Sequence, residues 1–125
     1  MRAIGVGHSP NDICVSSSDG PDATILHMID LKKNMSKVLK IDSDSCLITI
    51  EGGTTLKQII QALNEDGRQL SMPNFPSITD ITFAGLIATG THGTGIKNQV
   101  LASIVTEIEF VSGRGDIIVC SKEKD

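Results

Sequence analysis

Ser77-Ile-Thr-Asp80-Ile-Thr82-Phe-Ala-Gly85-Leu-Ile-Ala-Thr89-Gly90-Thr91-His92-Gly93-Thr94-Gly95 is the stretch around which the 125-residue chain is arranged. It holds four glycines, five threonines and one histidine, with no charged residue after Asp80. Glycine and threonine at this density build a core poorly. Bare backbone N–H groups and short hydroxyls instead wrap a polyanion closely, because no bulky side chain keeps the ligand away from the amides. A plain Gly/Thr-rich surface loop has the same composition. The apolar insert Leu86-Ile87-Ala88 points to a partly buried segment, and so to a cradle.

Composition bounds what such a cradle could serve. The length gives room for one domain with a modest core, and hydrophobic residues make up 39%. Lys and Arg total 11 against 15 Asp and Glu, a net charge of −4, so no basic face is offered to a phosphodiester backbone. Trp and Tyr are absent and Phe numbers 3, which removes base-stacking platforms and sets nucleic acid aside. No apolar run approaches the roughly 20 residues needed to span a bilayer. The opening residues, Met1-Arg-Ala-Ile-Gly-Val-Gly-His8, lack the apolar centre of a signal peptide. Cys14, Cys46 and Cys120 are odd in number and far apart. They suit reduced, buried thiols in an intracellular compartment, the default expectation, better than a disulfide framework or a metal site.

Arg2-Ala-Ile-Gly-Val6 reads as a strand running into the turn Gly7-His8-Ser9-Pro10, with no partner strand upstream. Ser16–Asp22 is a loop by composition. Thr24-Ile-Leu-His-Met-Ile-Asp30 returns to strand character before a turn at Lys32-Lys33-Asn34. Ser36–Ile41 and Cys46–Glu51, joined by Asp42-Ser-Asp-Ser45, predict a hairpin. Thr55-x-x-Gln58 fits a capping box that opens a helix. Leu56, Ile59, Ile60 and Leu63 then form one apolar stripe, and Gly67 after Asp66 is a natural stop. Leu70–Pro76 is extended, with Pro73 and Pro76 in it. Ile104–Val111 and Asp116–Ser121, turning at Ser112–Gly115, predict a second hairpin. The order strand, hairpin, helix, loop, hairpin predicts an α+β fold without βαβ units.

Each motif has a bland counterpart. Gly5-Val6-Gly7-His8-Ser9-Pro10 fails as a dinucleotide fingerprint, since Pro10 replaces the third glycine and no helical pattern follows. It fails as a nucleophile elbow for the same missing helix. It passes as a turn whose amides face a phosphate, or as a plain tight turn. Gly90–Lys97 misses a Walker loop because Ile96 stands where lysine must follow the second glycine. His8, His27 and His92 lack zinc-ligand spacing, so no metal is assigned. His27 sits in a strand and reads as structural, whereas His8 and His92 each lie within a glycine-rich turn. The Ser and Thr hydroxyls could equally cap local backbone.

These motifs in this order resemble the FAD-binding, PCMH-type domain of the vanillyl-alcohol-oxidase family, within it the L-gulonolactone and D-arabinono-1,4-lactone oxidase group. Gly5–Pro10 is similar to that family's pyrophosphate loop, and Leu26–Lys32 to its Ile-Asp-Leu strand. Glu51-Gly52-Gly53-Thr54-Thr55-Leu56 resembles the start of its helix, and Ser77–Gly95 its second flavin-binding segment. The match runs over nearly the whole chain.

The resemblance implies FAD as cofactor. It places the pyrophosphate on the backbone around Gly5, Val6, Gly7, His8, Ser9 and Pro10. It also implies flavin contacts from Ser77, Thr82, Gly85, Thr89, Gly90, Thr91 and His92. His8 falls where many members bond an imidazole nitrogen to the flavin 8α-methyl, a role that needs a neutral imidazole as nucleophile. Pro76 falls where members carry Gly, Ala or Pro beside the flavin, a position tied to oxygen access. The implied activity is oxidation of a CH–OH group of a sugar lactone or polyol, with O2 as acceptor.

The family has strands before the pyrophosphate loop, and a separate substrate domain carrying the acid and base residues after the second hairpin. The expectation here is therefore a partial FAD-binding domain over 1–125, without the substrate domain and with no catalytic residue of its own. A fragment, an incomplete product and a shortened paralogue all fit. One alternative is a non-catalytic flavin-fold remnant with weak or no FAD binding, pairing its open strand edges with another chain. An unrelated α+β binding module is a third.

Overall fold

The computed structural model describes residues 1–14 and 27–123. The expected loop Ser16–Asp22 and the first part of the expected strand, Thr24–Leu26, lie outside the described residues. Strand β1 (Arg2–Ile4) pairs in parallel with β2 (Met28–Asp30), Arg2 opposite Met28 and Ile4 opposite Asp30. The terminal strand thus finds its partner downstream. The predicted turn at Lys32–Asn34 is one helical turn, α1 (Leu31–Asn34). Asp30 starts it by accepting the Lys33 N–H at 3.3 Å, the use to which short acidic side chains are suited at helix starts.

The first hairpin is β3 (Val38–Asp42) with β4 (Leu47–Ile50), antiparallel, Asp42 opposite Leu47, and with a register break between Val38 and Lys40. Its turn is displaced by one residue from expectation: Asp42 ends the strand, and Cys46 turns in a left-handed conformation at φ 55°. Helix α2 (Leu56–Glu65) has the predicted capping box, with both reciprocal bonds present between Thr55 and Gln58. It ends at Asp66 and Gly67.

The segment read as a flavin loop contains a short helix, α3 (Phe83–Ala88). Two alanines and a leucine favour it, and the flanking glycines and threonines hid it from periodicity. Leu101–Ile104 is a 3-10 turn, so Ile104 precedes the second hairpin, β5 (Glu107–Val111) with β6 (Ile117–Ser121). Leu101 bends the chain there by inserting into the core.

That core is small: Leu56, Leu86 and Leu101 pack together, with Ile60, Met72, Ile81, Phe83 and Ile87 half-buried around them. Ile59 and Leu63 bury the remainder of the α2 stripe. Among the described residues no layer covers the second hairpin, leaving Val111 67% and Ile117 71% exposed. The expectation of buried thiols fails for two cysteines: Cys46 sits in a turn and Cys120 on that uncovered hairpin, both exposed, while Cys14 is half-buried. Among the described residues no helix is long and apolar enough to cross a membrane, and no three side chains are grouped to hold a metal.

Candidate functional site

The site is built on a zipper between the entry of α2 and the entry of α3. Leu56 N–H donates to Ile81 O at 3.0 Å and Lys57 N–H to Thr79 O at 2.9 Å. In return Phe83 N–H donates to Thr54 O at 2.8 Å and Ala84 N–H to Gly52 O at 3.0 Å. The Glu51–Leu56 stretch thereby clamps Thr79–Ala84 in place. Gly53 is pressed on backbone: a Cβ there would stand 2.6 Å from Met35 O. No side chain fits, which accounts for the second glycine of the pair.

At the end of the zipper sits Thr82, 1% exposed. It precedes α3, yet its side chain makes no cap bond. Among the described residues its hydroxyl makes no side-chain hydrogen bond, and no side-chain polar atom there is sealed away without a partner, so this hydroxyl keeps a trace of solvent access. The same hydroxyl lies against Gly5, where a Cβ would collide with it. This approach brings the N-terminal turn onto the Ser77–Gly95 segment.

Among the described residues the N–H groups of Val6, Gly7, His8 and Ser9 have no backbone acceptor. Gly7 has φ 72° and open space where a Cβ would be, so a ligand can approach the backbone there. Pro10 has no N–H and adds none. His8 is exposed, and no hydrogen bond joins His8, Ser9 or Pro10 to Thr89–His92 among the described residues.

The Thr89–Gly95 arm is bonded to the end of α3 and within itself. Thr91 N–H donates to Leu86 O at 3.1 Å across Gly90, at φ 63°, the closure that ends many helices. Gly90 therefore has a structural reason of its own. Thr89 Oγ1 donates to Gly85 O at 2.9 Å and lies 3.1 Å from Thr91 Oγ1. Either hydroxyl can be the donor within that pair. His92 Nδ1 is 2.8 Å from Gly93 O.

Both ends of the arm are pinned. Leu101 N–H donates to Thr91 O at 2.8 Å, and Gly93 is wedged against Asn74 and Phe75, where a Cβ would come 2.7 Å from Phe75 O. Asn74 itself donates to Gln99 O at 3.3 Å. Asn74 is a buttress that the sequence did not single out, whereas Gly53 stood in the helix-start motif without this role. The Pro73-Asn-Phe-Pro76 turn former was the available signal for Asn74. Ser77 is exposed, and Gly85 lies under Thr82. A pocket of about 320 Å³ lies next to the arm, between Pro73-Asn74 and Lys97–Leu101. It contains none of the expected site residues.

The structure thus joins Gly5, Thr82 and Gly85 directly, and sets Thr89–His92 on the same segment. A glycine-lined approach and, among the described residues, a run of amides without backbone acceptors suit a phosphate-bearing dinucleotide.

Comparison with known proteins gives the same direction. L-gulonolactone oxidase of Bos taurus is 33% identical over 125 residues, all of this chain and 26% of that protein. D-arabinono-1,4-lactone oxidase of Candida glabrata is 29% identical over 122 residues, 98% of this chain and 22% of that protein. The mitochondrial L-galactono-1,4-lactone dehydrogenase of Arabidopsis thaliana is 32% identical over 125 residues, 19% of its length. The chain spans about a quarter or less of these curated relatives. The family model described as FAD binding domain matches residues 1–121, and the chain, with its open amides and glycine-lined approach, belongs to the FAD binding domain family.

Proposed function

We propose that the chain is the flavin-binding part of a sugar-lactone oxidoreductase that oxidises a CH–OH group, with O2 as acceptor. The observation that carries this is the approach of Gly5 to Thr82, which puts the donor-rich turn and the Gly/Thr segment on one site. The relatives' names bring the lactone class, and a polyol is the related substrate. Half-buried Pro76, in a family position tied to oxygen access, supports O2 over another acceptor.

In this reading the amides from Val6 to Ser9 and the Thr82 hydroxyl hold the FAD pyrophosphate, and Ser77, Gly85 and Thr89–His92 face the rest of the cofactor. Bound FAD supplies the two-electron acceptor for a hydride from carbon, while these residues supply grip and orientation. The groups that take the substrate proton lie outside these 125 residues, in a substrate-binding part. His8 would be the tether, its imidazole nitrogen bonded to the flavin 8α-methyl carbon.

A second reading is favoured by the uncovered β5–β6 hairpin: a non-catalytic flavin-fold protein with weak or no FAD binding, its strand edges paired with another chain. Titrating the full chain with FAD by flavin fluorescence separates the two. Binding at micromolar concentration or tighter is expected, and none would leave the second reading. After acid precipitation the pellet should stay yellow, and His8→Ala should lose the colour. Binding followed by release of all colour into acid would remove the tether and leave the rest standing.

A further inference from the structure

We propose that Thr54 is a positioning residue of the flavin site: without touching the cofactor, it holds the N-terminal turn and the Thr82 segment at the spacing the cofactor needs. This rests on the flavin reading above. Thr54 is wholly buried, 0% exposed, and it bonds in two directions. Its hydroxyl donates to Lys37 O at 3.0 Å, and its own carbonyl accepts the Phe83 N–H at 2.8 Å. Phe83 directly follows Thr82, and Thr55 forms a β-bridge with Thr82 itself. One buried residue is thus tied to both sides.

The Lys37 side leads back to the N-terminal turn. Met35 closes α1, its N–H donating to Leu31 O at 2.9 Å, and α1 follows β2 without a break. Strand β2 pairs with β1, Ile4 opposite Asp30, and Gly5 is the next residue. Gly5 then meets the Thr82 hydroxyl. The contacts close a ring that runs from Gly5 through β1, β2 and α1 to Lys37 and Thr54, and through Phe83 and Thr82 back to Gly5. In a closed ring the gap at one contact is fixed by all the others, so slack at Thr54 is felt where Gly5 faces Thr82. The neighbouring glycines keep the ring tight. Gly52 lies between its two sides, where a Cβ would stand 3.3 Å from the Ala84 side chain and 3.8 Å from that of Leu31, and the Gly53 N–H donates to Met35 O at 2.7 Å. Lys37 O also accepts the Glu51 N–H at 2.9 Å, so loss of the Thr54 hydroxyl leaves no carbonyl stranded. The hydroxyl serves position and is not needed to satisfy a buried acceptor.

The test compares wild type, Thr54→Val and Thr54→Ser in the full chain, with FAD affinity read by flavin fluorescence and stability by the urea midpoint. Val keeps the shape and removes the tie, whereas Ser keeps the tie and removes a buried methyl group. Thr54→Val should bind FAD roughly 2- to 12-fold more weakly, the worth of one hydrogen bond, with little change in midpoint. Thr54→Ser should bind within about two-fold of wild type, although its midpoint falls because of the cavity left by the methyl group. Affinity and stability then rank the two variants in opposite orders, which a merely structural threonine would not produce. Unchanged affinity in Thr54→Val overturns the proposal, and so does a loss in Thr54→Ser as large as that in Thr54→Val. Nitrogen-15 NMR of the flavin-free chain gives a readout without the cofactor. In Thr54→Val the amide signals of Gly5 and Thr82 should shift along with those of Ser36 and Lys37. Shifts confined to Ser36, Lys37 and the immediate neighbours of Thr54 refute the ring. If the shifts reach Gly5 and wild type binds no flavin, the failure belongs to the flavin reading, and the assignment of Thr54 to a flavin site falls with it.

Discussion

Gly5 lies so close to Thr82 that a Cβ on Gly5 would take the place of the threonine hydroxyl. The contact is packing of a side chain on bare backbone, made by residues from β1's exit and α3's entry. Thr82 cannot move away, because the zipper with Thr54 and Gly52 holds the residues on its far side. A site split between two distant parts of the chain is thus assembled by one close approach.

Gly5→Ala should therefore behave as overpacking and cost about 1–3 kcal/mol, read as a lower urea midpoint. Removing the hydroxyl makes room: with Thr82→Ala the nearest remaining atom, the Thr82 Cβ, is 3.2 Å away. The double variant should lose less than the sum of the single losses. Strict additivity would show that the two residues do not press on each other.

Thr82→Val keeps the shape and removes the hydroxyl. Since that hydroxyl has no partner among the described residues, folding stability should change by less than about 1 kcal/mol. FAD binding should suffer, because a hydrogen bond to a charged oxygen is worth about 1.5–3 kcal/mol, roughly ten-fold or more in affinity. A large stability loss with unchanged FAD affinity would assign the hydroxyl to the fold.

The sequence was most legible where one local rule had one answer. The Thr55/Gln58 capping box and the Leu56–Leu63 stripe define α2 without reference to anything distant. The Gly/Thr segment read as a cradle and was illegible as structure. Its composition suits open amides, yet Phe83–Ala88 is helical, Gly90 serves a helix end, and the Thr89 and Thr91 hydroxyls bond to neighbours within the segment. The parallel partner of β1 and the burial of Thr82 against Gly5 depend on residues far apart in sequence, which no local pattern encodes. Cys46 and Cys120 were misjudged because thiol burial depends on what covers a strand or turn, and both are exposed among the described residues.

Thr55→Ala removes the side chain that accepts the Gln58 N–H, and with it one half of the capping box. The expected cost is about 1 kcal/mol, measurable by urea unfolding. The effect should reach the site, since Leu56 and Lys57 N–H groups bind Ile81 and Thr79 in the first turn of the same helix. FAD affinity should fall with stability in this variant. Stability loss without any change in FAD affinity would show that the zipper does not position Thr82.

Asp42 closes the first hairpin and sets part of its acid sensitivity. Its carboxyl lies below the ordinary range, first because the Ser45 N–H donates to it, then because the Ser45 hydroxyl does, with Lys40 and the Asp44 N–H adding and desolvation opposing. The Ser45 bond is 3.2 Å and the Lys40 ammonium 3.6 Å away. An acid whose folded pKa is depressed stabilises the fold above its unfolded value, about 3.9, and loses that contribution as pH falls through the folded value. The difference in stability between wild type and Asp42→Asn should therefore be steady from neutral pH down to roughly pH 5 and shrink below pH 4. Added salt should reduce only the Lys40 share, because the pair is exposed and screened while the Ser45 bonds are short-range. Parallel acid limbs for the two proteins would show that the hairpin turn does not hold the carboxylate in its charged form.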